Sequence, residues 1–192
     1  MKIYLLRHTE PDVPPDTCYG QSDIDVVEQP FRDQIPQFQK LLPLEEIAAI
    51  YTSPLQRCYK LAESLSKNHH ALHVDERIGE LNFGEWELQP WAAIDGREKT
   101  RWKEDFLFAR APAGESHMDL YQRVEKFWDQ LNQKNHHSSL VVTHGGVIKS
   151  LLSKILDMPL RKSYALKIHY GELIYIHMKD KVTRQVEFLT GG

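Results

Sequence analysis

Apolar and polar positions along this chain change period repeatedly, and the changes mark out its elements. Ile3 to Leu6 is an unbroken apolar run, too short for a helix and without polar alternation, which predicts a strand buried on both faces. Ala48-Ala49-Ile50-Tyr51 and Leu140-Val141-Val142 read the same way, and Leu72-His73-Val74 is a weaker strand signal. Helical spacing takes over between them. Phe31, Ile35, Phe38 and Leu42 recur at that spacing from Pro30 to about Leu42, and Leu55, Cys58, Ala62 and Leu65 line one face after Ser53-Pro54. Ser53 suits the N-cap there and Pro54 the first helical position, where a missing N–H costs nothing. Leu120, Val124, Phe127 and Leu131 predict a helix from Ser116 to about Gln133, and Val147 to Leu156 predicts another. Tyr164, Leu166, Ile168 and Tyr170 alternate at strand period, and Glu172 to Met178 with Val182 to Leu189 predict a terminal strand pair joined at Lys179-Asp180-Lys181. Residues 88 to 113 show no clear period, although Trp91, Trp102, Phe106 and Phe108 imply that parts fold back onto the core or line a cavity. Strands alternating with helices predict an α/β fold with a mainly parallel sheet.

Composition narrows the classes. The 192 residues with 41% hydrophobic content suit one well-buried domain spanning 1–192. Lys+Arg 24 against Asp+Glu 27 gives a net charge of -3, without a basic tail or a long run of one sign, so neither nucleic acid nor an anionic membrane is an expected partner. Cys18 and Cys58 lie far apart without C-x-x-C spacing, which speaks against a disulfide framework and a structural zinc site. The opening Met-Lys-Ile enters a strand directly, and the expected compartment is the reducing cytoplasm. His69-His70 and His136-His137 fall between predicted elements and lack the spacing of zinc ligands, so they read as solvated loop residues.

The chemistry gathers where strands end. Arg7 and His8 close the first strand at its C-terminal edge, where α/β sheets bind ligands, and the loop from Thr9 to Asp23 leaves from that edge as a candidate pocket wall. Arg57 falls in the first turn of the helix after Ser53-Pro54, and His144 stands in Thr143-His144-Gly145-Gly146, where glycines allow close backbone approach and a helix N-terminus follows. Two arginines match phosphate oxygens bidentately, one histidine can attack phosphorus, and the other can hold the phosphoryl group. A carboxylic acid must protonate the leaving alkoxide, and Glu80 and Glu85 compete for that role.

Four ordered segments, Leu6-Arg7-His8-Thr9, Ser53-Pro54-Leu55-Gln56-Arg57, Glu80-Leu81-Asn82-Phe83-Gly84-Glu85-Trp86-Glu87 and Thr143-His144-Gly145-Gly146, resemble the signatures of the histidine phosphatase superfamily, in the branch that includes cofactor-dependent phosphoglycerate mutases. The resemblance implies a three-layer α/β/α sandwich of the phosphoglycerate mutase type. It makes His8 the phosphorylated nucleophile, assigns Arg7, Arg57 and His144 to phosphate binding and Glu80 to proton donation, and implies no metal or other cofactor. Asp12-Val13 with Cys18-Tyr19-Gly20-Gln21-Ser22-Asp23 resembles the loop of alpha-ribazole phosphatases, as does Thr9 in place of a glycine. By that likeness Thr9, Tyr19, Gly20 and Gln21 bind substrate, and the partner is a small phosphorylated metabolite, alpha-ribazole 5'-phosphate. The alternatives are a broad-specificity histidine phosphatase or a mutase-like isomerase; the short stretch from Leu88 to Gly114 lacks the longer insertion that mutases usually carry. Leu88 departs from the resemblance, standing where many relatives have glycine.

Overall fold

In the computed structural model, which describes residues 1–66, 71–134, 136–180 and 183–190, strand β1 (Lys2–Arg7) lies between β4 (Ser138–Thr143) and β5 (Leu173–Met178). With β2 (Ala49–Thr52), β3 (Leu72–Val74) and β6 (Arg184–Phe188) they form one six-stranded sheet in the order β3-β2-β4-β1-β5-β6. β3, β2, β4 and β1 are parallel, and β5 runs antiparallel to both neighbours. The sheet is therefore mixed and mainly parallel.

Strand alternation divides the core between two faces. Tyr4 and Leu6 point to one side with Ile50, Leu140 and Val142, where they pack on Phe38 of α1 (Glu28–Leu41) and on Cys58, Leu61 and Leu65 of α2 (Gln56–Ser66). Ile3 and Leu5 point to the other with Tyr51 and Val141, against Leu120, Val124 and Phe127 of α4 (His117–Gln133) and Val147, Ile148 and Leu151 of α5 (Gly145–Ile155). The unbroken apolar runs Ile3 to Leu6 of β1 and Leu140 to Val142 of β4 are thus explained, because both strand faces are covered. The helix after β1 lies on one face and the helix after β4 on the other, so these neighbouring strands flank the switch point where α/β folds open a crevice.

Several predicted boundaries are corrected. Ser53 does not cap a helix and Pro54 is not its first residue: α2 starts at Gln56, whose N–H donates to the Asp23 carboxylate at 2.7 Å. The cap comes from the preceding loop, and the Ser53 hydroxyl is used at the site below. Tyr164 to Tyr170 is not a strand; it is irregular chain after the short α6 (Leu160–Ser163). The unplaced stretch contains α3 (Gly96–Glu104), which buries none of its residues and so carries no hydrophobic period to read. Asp95 caps it, accepting from the Arg97 N–H at 2.7 Å. In α4 the capping box is complete: Ser116 accepts from the Asp119 N–H, and the Asp119 carboxylate accepts from the Ser116 N–H. His69-His70, Lys181 and Val182 lie outside the described residues.

Candidate active site

Register places the two histidines side by side. Arg7 pairs with Thr143 in the parallel β1–β4 ladder, so His8 and His144 leave adjacent strand ends, and their rings meet edge to face with centroids 5.1 Å apart. Both are buried. The His8 Nδ1 lies 2.7 Å from the carbonyl oxygen of Thr9, which can only accept, so Nδ1 carries the proton. Burial first, then the charges of Arg57 and Arg7, hold the His8 pKa well below the usual histidine value. The ring is neutral and its Nε2 keeps a free lone pair. His144 is held neutral by the same causes, burial foremost. Its Nε2 lies 2.8 Å from the Ser53 hydroxyl, whose oxygen also accepts from the Leu55 N–H at 3.3 Å.

The arginines are fixed by main-chain carbonyls. Arg7 donates from Nη1 to Ile168 at 2.5 Å, with its guanidinium 4.0 Å from the Tyr170 ring centroid. Arg57, fully buried, donates from Nη1 to Ser22 at 2.9 Å and from Nη2 to Gly20 at 2.5 Å. The Nε–H groups of both are buried without partners, a pair of donors that an anion satisfies.

The two glutamates part company. Glu80 lines the cavity in front of His8, with Oε1 accepting from the Leu81 N–H at 2.9 Å and Oε2 from the Gly146 N–H at 3.1 Å. Glu85 is exposed in a single 3-10 turn away from it. Glu87 clamps the loop: its carboxylate accepts from the N–H groups of Gln21, Ser22 and Phe83 and from the Ser22 hydroxyl. Burial raises its pKa, but those bonds outweigh burial and hold the carboxyl below its ordinary value.

The remaining candidates occupy different depths. Tyr19 lines the cavity, with its hydroxyl 2.6 Å from that of Tyr170. Gly20 and Gln21 do not line it: buried Gly20 holds Arg57 through its carbonyl, and the exposed Gln21 donates from its side chain to the Glu80 carbonyl at 3.1 Å. Thr9 is fully buried with its hydroxyl unpartnered. Cys18 packs against Trp86, Ile94 and Ala111, and burial pushes its thiol up to about 12.

The cavity, about 340 Å³, runs from Arg7, His8 and Glu80 to Phe83, Trp91, Trp102, Phe106, His117 and Tyr164, with Lys149 beside Glu80. Of these, His117 and Lys149 carry no signal of a site in the sequence and Tyr164 reads there only as a strand position; Arg123, which holds the Glu80 segment from α4, carries none either. Trp91, Trp102 and Phe106 line the cavity as their aromatic character suggests, whereas Phe108 is exposed. Among the described residues no group of three or more His, Cys, Asp or Glu is arranged to hold a metal ion, and no helix is long and apolar enough to cross a membrane.

Half-buried Arg7 and fully buried Arg57, each with a buried Nε–H that has no partner, stand with two neutral histidines at the switch point of an α/β sheet, a set of groups suited to an anion. The chain belongs to the histidine phosphatase superfamily, branch 1, whose family model matches residues 3–189. It is 25% identical over 176 residues to the adenosylcobalamin/alpha-ribazole phosphatase of Escherichia coli K12, covering 89% of this chain and 87% of that one. It is 27% identical over 191 residues to phosphoserine phosphatase 1 of Hydrogenobacter thermophilus, covering 94% and 88%. Among solved structures it superposes on the alpha-ribazole phosphatase of Shigella flexneri with a TM-score of 0.89 at 24% identity, covering 100% of this chain and 96% of that one.

Proposed function

We propose that this protein is a metal-independent phosphomonoesterase that works through phospho-His8, with alpha-ribazole 5'-phosphate as its substrate. The observation that carries the reading is the Nδ1 bond of His8 to the Thr9 carbonyl, which leaves a neutral ring with its Nε2 lone pair beside two arginines. In the first step Nε2 attacks phosphorus and the P–O bond to the leaving group breaks. Glu80, as a carboxylic acid, gives its proton to the departing alkoxide. Arg7, Arg57 and a donor N–H of His144 hold the equatorial oxygens as charge spreads over them. In the second step Glu80, now a carboxylate, takes a proton from water while the water oxygen attacks phosphorus. The P–N bond breaks and its electron pair returns to Nε2.

The Escherichia coli relative's name and the Cys18 to Asp23 loop support the choice of substrate. Inorganic phosphate release from alpha-ribazole 5'-phosphate in chelator, beside a panel of nucleotides, sugar phosphates and phosphoglycerates, tests it. A preference in kcat/KM for the first compound, abolished in His8→Ala, is the expected result. A rate that survives His8→Ala or collapses in chelator overturns the mechanism, and flat activity across the panel removes the substrate. Interconversion of phosphoglycerates, without phosphate release and dependent on a bisphosphate primer, would identify a mutase instead.

A further inference from the structure

Tyr170 has no role in the transfer steps, yet its ring lies against two of the groups that carry them. The Gly171 N–H donates to the His8 carbonyl at 3.1 Å, which fixes the chain beside the nucleophile. The Tyr170 ring centroid is then 4.0 Å from the Arg7 guanidinium carbon and 5.6 Å from that of the His8 ring. Tyr19, from the loop after β1, has its ring 5.4 Å from the Arg57 guanidinium carbon. The two hydroxyls meet at 2.6 Å, so the pair runs from one arginine to the other, across the place where both must hold a phosphoryl group. His8 is only 1% exposed and Arg57 and His144 are 0% exposed; Tyr19 lines the cavity, but neither Arg57 nor His144 does. Tyr19 and Tyr170 together cover the phosphate subsite.

The two halves of the cover are not equivalent. Tyr19 shields Arg57, so a phosphoryl group reaches the unpaired Arg57 Nε–H only when the Tyr19 ring moves aside. Tyr170 rests on Arg7 through its ring face, a contact that leaves the Arg7 Nε–H unpaired, so Tyr170 can stay. The bond between the hydroxyls is easily exchanged, because it is neutral and lies at the surface, whereas a phosphate oxygen is a charged acceptor. We infer that Tyr170 is a further phosphate-binding residue and that Tyr19 is the moving half of a cover opened by the entering phosphate. The hydroxyl–hydroxyl bond breaks and Tyr19 leaves Arg57. The Tyr170 hydroxyl then donates to a phosphoryl oxygen while its ring keeps Arg7 in place. The inference rests on the phosphoryl-transfer reading of this site and adds to it one ligand and one entry step.

Isothermal titration of inorganic phosphate into the wild type, Tyr170→Phe, Tyr170→Leu and Tyr19→Phe tests this without turnover. Tyr170→Phe keeps the ring and loses the donor, so Kd for phosphate rises about tenfold, the order of one hydrogen bond to a charged group. Tyr170→Leu also releases Arg7 and weakens phosphate by about a further two- to fivefold. Tyr19→Phe removes the same hydroxyl–hydroxyl bond but keeps the Tyr170 donor. Opening then costs less, and phosphate binds about twofold or more tightly. The opposite signs of the two phenylalanine variants are the decisive readout, because a general loosening of the site would weaken phosphate in both. If Tyr170→Leu does not fold, those two variants decide alone. A wild-type Kd in Tyr170→Phe would overturn the phosphate contact, and Tyr19→Phe binding no more tightly than the wild type would overturn the cover. A wild type that shows this binding pattern but hydrolyses no ester would overturn the phosphatase reading and leave the Tyr170 assignment standing; a wild type that does not bind phosphate would overturn both.

Discussion

Arg123 donates from Nη2 to the carbonyl oxygen of Glu80 at 2.8 Å, joining α4 to the segment that presents the cavity carboxylate. The same guanidinium donates from Nη1 to the carbonyls of Arg77 and Gly79, both at 2.7 Å, and grips the Glu115 carboxylate at 2.8 and 2.9 Å. Three carbonyls and a carboxylate share one planar fork, a geometry that lysine cannot reproduce. With the pair only 18% and 22% exposed, Arg123→Lys strands part of this network and is expected to cost about 2 kcal/mol of stability. Because the segment bearing Glu80 loosens, kcat falls about tenfold while KM changes little. Urea unfolding and steady-state kinetics on the same preparation check it; unchanged kcat in the variant would show that Glu80 does not depend on this clamp.

Gly146 explains the second glycine of the Thr143-His144-Gly145-Gly146 turn. A Cβ at Gly146 would run into the Glu80 Oε1, with Leu120 Cδ2 3.1 Å away on its other side. Gly146→Ala should therefore push the Glu80 carboxyl out of place, and kcat is expected to fall about 100-fold, the order of a lost general acid. The fold gains about as much from alanine in the first turn of α5 as it loses to the clash, so stability stays within about 1 kcal/mol. A variant with full kcat would mean that Glu80 is not the proton donor.

The strands and the histidine-bearing edges are legible in the sequence because doubly buried strands leave unbroken apolar runs, and because Arg7, His8 and His144 interrupt those runs at strand ends. The rest is legible only in part, for physical reasons. Polar α3 has no fully buried residue and packs inward only through Trp102, so no periodicity betrays it. Ser53 reads as a cap because serine before proline usually is one, but Asp23 supplies the cap from 33 residues away and the Ser53 hydroxyl turns to His144. Arg123 is one charge on a helix with an ordinary apolar stripe, and its bonds run 43 to 46 residues back along the chain. Alternation at Tyr164 to Tyr170 mimics a strand because Tyr164 and Ile168 line the cavity and Leu166 packs on the core, with exposed residues between them, although Tyr170 is itself exposed.

Three buried histidines make the protein acid-sensitive. His8, His144 and His117 are all neutral in the fold, with pKa values lowered first of all by burial. In the unfolded chain each takes up a proton as pH falls through about 6.5, so the unfolded state binds more protons and stability declines with falling pH. The contribution is complete above pH 6.5, and each group removes about 1.4 kcal/mol per pH unit below it, down to its folded pKa. For His117 that limit is about 4. Urea unfolding between pH 7 and 5 should show a combined slope of up to about 4 kcal/mol per unit, reduced by about 1.4 in His117→Gln. The acid limb of kcat/KM assigned to His8 falls well below pH 6.5 for the same reason. Stability that stays flat over this interval would mean that the histidines ionise without unfolding.

Leu88 is held in the left-handed region at φ 64°, with its N–H donating to the Cys18 carbonyl at 2.7 Å and its side chain 62% exposed. The backbone bond ties the turn after Glu87 to the loop that carries Tyr19 and Gly20, so the conformation is imposed by the site and not by the residue. An L-residue there carries a penalty of about 1–2 kcal/mol, which glycine avoids. Glycine in turn adds about 0.5–1 kcal/mol of unfolded-state entropy, so Leu88→Gly should be more stable by about 0.5–1 kcal/mol. That corresponds to about 1–4 °C in Tm for a chain of this size. Phosphatase activity should not change, because Leu88 is not on the cavity wall. Leu88→Ala is the control: it removes the exposed side chain but keeps the strained backbone, and should not be stabilised. Equal gains from alanine and glycine would trace the effect to the exposed leucine side chain and remove backbone strain as the cause.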